Sequence, residues 1–166
     1  MDINLDINTY ISDGFKKVCT VLDDGTGGWI YHNTDHSLMF DNHTSWIYFI
    51  VLLSEIVKVG ETGNPLGVMS TTEPGQPKIG TMSRLGRYRR HSGSTDERVR
   101  EELREHVVKG EVSIWARKCE LTKVSIMVGG QLSETYMSIH KDLEMRYLDH
   151  IHRTTGSLPR LNLCRK

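Results

Sequence analysis

Two runs of β-branched and aromatic residues, WIYFIVL at 46–52 and IVKVG at 56–60, flank the short polar break Ser54-Glu55 and predict a β-hairpin over 46–60. Strand side chains alternate faces, so loop length decides which residues meet. A three-residue loop at 53–55 pairs 52 with 56, 50 with 58 and 48 with 60, and Tyr48 and Lys58 then share a face. A two-residue loop would put them on opposite faces. Further on, Ile79, Met82 and Leu85 recur at helical spacing over 79–91, with arginines on the remaining face and Gly86 weakening the turn. Ser94, Thr95, Asp96 and Glu97 have capping-box spacing; Val99, Leu103 and Val107 follow at i, i+4 and i+8, and the helix ends at Lys109-Gly110. Residues 111–119 (EVSIWARKC) alternate like a strand, as does part of 122–128, and Gly129-Gly130 breaks the pattern. Tyr136, Ile139, Leu143, Tyr147 and Ile151 then predict a long helix over 132–152, with Pro159 beyond its end. Before residue 46 the apolar stretches are short, and we expect a helix near 8–21 and a hairpin or loop near 22–40 around DDGTGGW.

These elements predict an α+β fold, a small antiparallel or mixed β-sheet flanked by helices. Its 166 residues, 37% hydrophobic, suit one domain and exclude a mainly disordered chain. We divide it into an N-terminal extension, 1–45, and a core, 46–166, interrupted at about 61–80 by a segment with three of the four prolines. A loop of that length is usually functional. The longest apolar run, 46–53, is too short to cross a bilayer, and the acidic N-terminus is unlike a secretory signal, so a cytoplasmic protein with no membrane partner is expected. Cys19, Cys119 and Cys164 are odd in number and widely spaced, which fits free thiols.

The net charge is zero, with 21 basic and 21 acidic residues, but its distribution is uneven. Residues 1–45 carry seven Asp against Lys16 and Lys17, whereas 78–91 carry Lys78, Arg84, Arg87, Arg89 and Arg90 with no acid, and 153–166 carry four more cations. Two basic segments could build one phosphate-binding surface if the fold joins them.

Against this background four features line up along the chain. Trp46-Ile47-Tyr48 opens the first strand, Lys58-Val59-Gly60 closes the second, Arg84 and Tyr88 stand four apart on one helix face, and Glu144 in the last helix is followed by Asn162. This order resembles the GIY-YIG nuclease superfamily, with its GIY…YIG strand pair, its helix bearing R-x-x-x-H/Y, its single glutamate and its final asparagine. STDERVREEL, KGEVSIWARKC, DLE and PRLN are similar to the phage-encoded endonuclease II branch, while KVG in place of YIG is similar to some type II restriction enzymes of the superfamily. Trp46 replaces the first glycine, Lys58 replaces the second tyrosine, and 61–80 is an insertion relative to the family.

The resemblance implies a DNA endonuclease that hydrolyses phosphodiester bonds in duplex DNA, sequence-specific and of restriction or phage type, leaving 5′-phosphate and 3′-hydroxyl ends. It implies Mg²⁺, with Mn²⁺ as a substitute, held by Glu144: one carboxylate suits an ion that keeps most of its waters. Tyr48 is then the general base. An unperturbed phenol, with a pKa of about 10, is poorly suited to that task, and Lys58 on the same face would lower it. Arg84 would neutralise phosphate charge through its planar fork, Tyr88 would donate to the phosphate or water, and Asn162 would support Glu144 or nearby backbone. Gln76, Lys78, Arg87, Arg89, Arg90, His91 and Lys109 are the candidate DNA contacts. Because one site cuts one strand, a homo-oligomer is expected, a dimer or larger.

Two other readings compete. The departures at Trp46 and Lys58 leave room for a catalytically inert DNA-binding module of the same fold. His32, His36 and His43 could hold a metal were their segment helical, although Asn33-Thr34-Asp35 is turn chemistry. GETGNPLG lacks the GK[ST] ending of a phosphate-binding loop, which argues against ATP use.

Overall fold

The apolar runs at 46–52 and 112–116 become neighbouring strands deep in one antiparallel sheet, because each is apolar enough to be covered on both faces. In the computed structural model, residues 5–33, 45–63, 66, 69–70, 78–79, 84–88 and 94–162 are described. A 3₁₀ helix, Ile7–Asp13, leads into β1 (Lys16–Asp23), β2 (Trp29–Asn33), β3 (Ser45–Leu52), β4 (Glu55–Thr62), β5 (Met69–Ser70) and β6 (Lys78–Ile79). There follow a single helical turn α1 (Arg84–Arg87), α2 (Ser94–Val107), β7 (Val112–Cys119), β8 (Leu121–Val128), β9 (Gln131–Ser138), α3 (His140–Thr155) and a 3₁₀ turn, Arg160–Asn162.

The five-stranded sheet has the order β2-β1-β7-β3-β4, with every pairing antiparallel. Thus the late strand β7 inserts between β1 and β3, and residues 16–33 of the expected extension supply two of the five strands. Every residue of β3 is buried. Trp46, Tyr48, Ile50 and Leu52 face a core shared with Leu85, Tyr88, Val99, Leu103 and Leu161. Ile47, Phe49 and Val51 face the opposite core, with Ile7, Tyr10, Phe15, Tyr147, Leu148 and Ile151. Helices therefore cover both sides, and the α+β architecture expected from the sequence is the one observed.

Several expectations are corrected. The helix expected near 8–21 stops at Asp13, where Gly14 (φ 91°) ends it, and the β-branched Val18, Thr20 and Val21 enter β1 instead. The helix expected over 79–91 shortens to the α1 turn among described residues, because Ile79 belongs to β6. The helix expected over 132–152 begins at His140 and runs to Thr155, while Gln131–Ser138 forms β9 and pairs with β8. Gly129 and Gly130, with φ of 57° and 81°, make the two-residue turn that favours this hairpin over a continued helix. The α2 helix and the β7 and β8 strands lie where their patterns place them.

The β3–β4 hairpin reaches the expected Tyr48 register by a different route. Leu52 pairs with Glu55 across a two-residue turn, and Ile56, the partner that a three-residue loop would have given Leu52, pairs with Val51. A bulge at Val57 then shifts the register, so that Ile50 pairs with Lys58 and Tyr48 with Gly60.

Candidate active site

The hairpin carries Tyr48 to the face of the sheet covered by α1 and α2, directly opposite Gly60. A Cβ at position 60 would overlap the Tyr48 ring carbons and hydroxyl, so glycine is what lets the ring cross β4. The Tyr48 hydroxyl is hydrogen-bonded to that of Tyr88, 2.5 Å away, and accepts a hydrogen bond from Arg84 Nε at 2.8 Å. The Arg84 guanidinium also lies over the Tyr88 ring, 5.3 Å from its centroid. Both tyrosines are fully buried; Arg84 is half-buried and so is the member of the cluster nearest to solvent.

Burial dominates the electrostatics here. It pushes the Tyr48 hydroxyl above its ordinary pKa of 10.0, while Arg84 and the hydrogen bond from Tyr88 oppose that rise and the Glu144 carboxylate adds to it. Tyr88 is raised well above the usual phenol range by burial and then by Tyr48. The expectation that a cation makes Tyr48 more acidic than a free phenol is therefore corrected. The cation on its hydroxyl is Arg84; Lys58 is buried one pair further along the same face, opposite Ile50.

Supporting contacts fix the α1 turn. The Tyr31 hydroxyl of β2 donates to the Leu85 carbonyl at 2.8 Å, and Arg100 Nε of α2 donates to the Tyr88 carbonyl at 3.2 Å. Asp96, at the start of α2, is buried, lies 3.5 Å from Arg87, and helps hold Arg84 protonated. Sequence reasoning misses Tyr31, Asp96 and Arg100 as parts of the site. Asp96 reads there as part of a capping box, and Arg100 as one charge among many on an amphipathic helix.

Glu144 is half-buried on α3 and close enough to the cluster to oppose ionisation of Tyr48. One turn later, Tyr147 fixes the helix to the sheet: its hydroxyl accepts from Arg117 of β7 at 2.7 Å and donates to Asp13 at 3.2 Å. Asn162 grips the outer edge of β4, accepting from the Val59 N–H at 2.7 Å and donating to the Val59 carbonyl at 2.8 Å. It thus supports backbone next to Lys58 and Gly60.

Among the candidate DNA contacts, Arg87 is exposed beside the cluster and Lys78 sits in β6 opposite Ser70. Lys109 is exposed just past the far end of α2, a helix whose 14 residues span about 21 Å, so the fold separates it from Arg87. Gln76, Arg89, Arg90 and His91 lie outside the described residues. Of the three histidines considered for a metal, His32 is an exposed residue in strand β2, paired with Thr20, while His36 and His43 lie outside the described residues. Among the described residues no three His, Cys, Asp or Glu side chains are grouped to hold a metal. No described helix is long and apolar enough to cross a membrane.

No protein-family model matches the sequence, and no curated protein matches it. Among solved structures, the chain is similar to restriction endonuclease HPY188I in complex with product DNA, at 14% identity over 99% of this chain and 88% of that one, with a TM-score of 0.50. It is also similar to a mutant of bacteriophage T4 EndoII, at 17% identity over 90% of this chain and 96% of that one, with a TM-score of 0.58. The α+β fold expected from the resemblance to GIY-YIG nucleases is thus the fold this chain shares with a restriction endonuclease and a phage endonuclease.

Proposed function

We propose that this protein is a Mg²⁺-dependent endonuclease that hydrolyses phosphodiester bonds in duplex DNA. The observation that carries this reading is the convergence of Tyr48, Tyr88 and Arg84 on one hydroxyl, with the Glu144 carboxylate acting on the same group. Two of its structural neighbours are endonucleases, one of them bound to product DNA, which supports DNA as the substrate.

In this reading Arg84 binds the non-bridging phosphate oxygens and offsets the charge that grows on them during attack. Tyr48 first gives up its own hydroxyl proton to solvent, an ionisation the Arg84 guanidinium on its oxygen favours; the phenolate then takes the proton from the attacking water, and Tyr88 keeps that oxygen oriented. The new bond joins the water oxygen to phosphorus as the bond to the 3′-oxygen breaks; that oxygen takes a proton from solvent. The products carry 5′-phosphate and 3′-hydroxyl ends. Glu144 is the residue that would hold Mg²⁺, or Mn²⁺ in its place, and a single half-buried carboxylate fits an ion that retains most of its waters. The ion would supply Lewis-acid stabilisation of the phosphate. Lys58, buried on the same face, is assigned to the charge balance of the site, and Asn162 to holding β4. Gln76, Lys78, Arg87, Arg89, Arg90, His91 and Lys109 are assigned to the DNA surface, with sequence preference residing in the 61–80 insertion. The protein acts in the cytoplasm of a prokaryotic or phage-infected cell, as a homo-oligomer.

The inert DNA-binding alternative draws on one observation, the complete burial of Tyr48. Incubation with supercoiled plasmid, with Mg²⁺ or with EDTA, beside Glu144→Ala, separates the two. Nicks or fragments that need Mg²⁺ and disappear in Glu144→Ala, while its gel shift persists, are expected. A gel shift without any cleavage by the unmodified protein would establish the inert module, and cleavage retained by Glu144→Ala would remove Glu144 from the mechanism.

A further inference from the structure

The α3 helix begins without an ordinary cap, because its N-cap residue, Ile139, makes no side-chain hydrogen bond to the first turn. Side chains that reach down to the sheet hold the helix start instead. Glu61 follows Gly60 on β4 and pairs with Ile47, so it lies on the face of the sheet that α3 covers. Its carboxylate is 3.2 Å from Nε2 of His140, the first residue of α3. Nδ1 of the same ring is 2.8 Å from Ser138 Oγ, which is bonded in turn to Ser45 Oγ of β3. Ser45 is buried, pairs with Cys119 of β7 and is hydrogen-bonded to its thiol. With the Nε2 proton given to Glu61, Nδ1 accepts from the Ser138 hydroxyl. Both ring nitrogens are then engaged, and the ring cannot turn without losing a bond. The His140 and Glu61 side chains are only 15% and 26% exposed, so water competes little for their contact.

Glu144 stands four residues after His140, on the same face of the helix and about 6 Å along its axis. Three residues further on, Tyr147 ties α3 to Arg117 and Asp13. Glu144 is thus bracketed by two anchors, and the one at His140 joins the helix to β4, the strand that carries Lys58 and Gly60. A lone carboxylate ligand shares its ion with no second acid. Its distance from the cluster of Tyr48, Tyr88 and Arg84 is therefore set by how α3 is held, and a displacement of about 0.5 Å already matters at such a site.

We propose that Glu61 and His140 are positioning residues, a clamp between β4 and α3 that holds the Glu144 carboxylate where it binds the divalent ion. The inference rests on the assignment of the metal to Glu144 in the nuclease reading, and adds to it two residues that lie outside the KVG and DLE segments.

The test is a Mn²⁺ titration of the isotope-labelled full chain, followed by paramagnetic broadening of the α3 amide signals, which reads metal binding whether or not DNA is cut. Glu61→Leu and His140→Leu break the clamp and should each weaken Mn²⁺ binding about 10-fold, the lower end of what loss of a metal ligand's supporting partner costs. His140→Gln keeps a donor toward Glu61, and Glu61→Gln keeps an acceptor for His140; both should bind Mn²⁺ as the unmodified protein does. Asp149→Asn breaks the exposed Arg153–Asp149 pair on the same helix and should leave the affinity unchanged. In plasmid nicking, the Mg²⁺ concentration for half-maximal rate should rise by the same factor in the leucine variants, while the rate at saturating Mg²⁺ changes less. Unchanged affinity in the leucine variants, equal losses in the glutamine variants, or an equal loss in Asp149→Asn would each overturn the clamp. Broadening that survives Glu144→Ala would overturn instead the assignment of the metal to Glu144, and with it the ground on which the clamp rests.

Discussion

Gly60 shows how a single missing side chain shapes the candidate site. The Tyr48 ring occupies the space where a Cβ at position 60 would stand, and the hydroxyl meets Tyr88 and Arg84 only from there. Gly60→Ala should therefore lower stability by about 1–3 kcal/mol through overpacking. It should also cut the nicking rate by about 100-fold, the loss typical of a small misplacement of a reacting group. Gly63→Ala is the matched control, since its Cβ would only brush the His140 ring at 3.4 Å. Thermal melts and nicking rates of the two variants compare them directly, and an active Gly60→Ala would remove the Tyr48 position from the mechanism. The glycine was legible as the last letter of KVG, but its reason was not. The sequence already pairs Tyr48 with Gly60; the structure adds the two-residue turn and the bulge at Val57 that reach this register, and the ring lying over the glycine.

At the scale of elements, β4 is an edge strand whose outer side is secured by a side chain from the last described turn. Asn162 satisfies both the N–H and the carbonyl of Val59, as a neighbouring strand would. Asn162→Ala should cost about 1–2 kcal/mol, since each such bond contributes roughly 0.5–1.5 kcal/mol. Faster hydrogen exchange of the Val59 amide, with the exchange of β7 amides unchanged, is the expected signature; unchanged Val59 exchange would deny Asn162 this role. The same scale explains the main error of the sequence pattern. Tyr136 and Ile139 continue the helical spacing of α3 backwards, yet 131–138 pair with β8 because two glycines supply the turn and β8 supplies the hydrogen bonds. Periodicity records which positions could share a face, and a competing strand partner can override it.

The whole molecule adds a pH dependence that no single element has. Burial raises the pKa of Tyr48, Tyr88, Cys19 and Cys119, and of Tyr10 and Tyr147 in the opposite core. Each raised group holds its proton in the folded state at a pH where the unfolded chain would release it. Their contribution is complete below the unfolded values, about 8.5 for cysteine and 10 for tyrosine, and is lost as pH climbs through the folded ones. The melting temperature should therefore decline from about pH 8.5 upward, more gently in Tyr88→Phe; a melting temperature constant from pH 8 to 10.5 would contradict this account. The sequence alone determined the α+β class, the β3–β4 hairpin, the α2 helix and the order of the candidate residues, because alternation, helical spacing and caps are local properties written in adjacent residues. The insertion of β7 between β1 and β3, the closure of Tyr48, Tyr88 and Arg84 into one buried cluster, and the release of β8–β9 as an arm were decided by tertiary structure. Each depends on which distant surfaces exclude water together, and that is a property of the assembled sheet and its two cores.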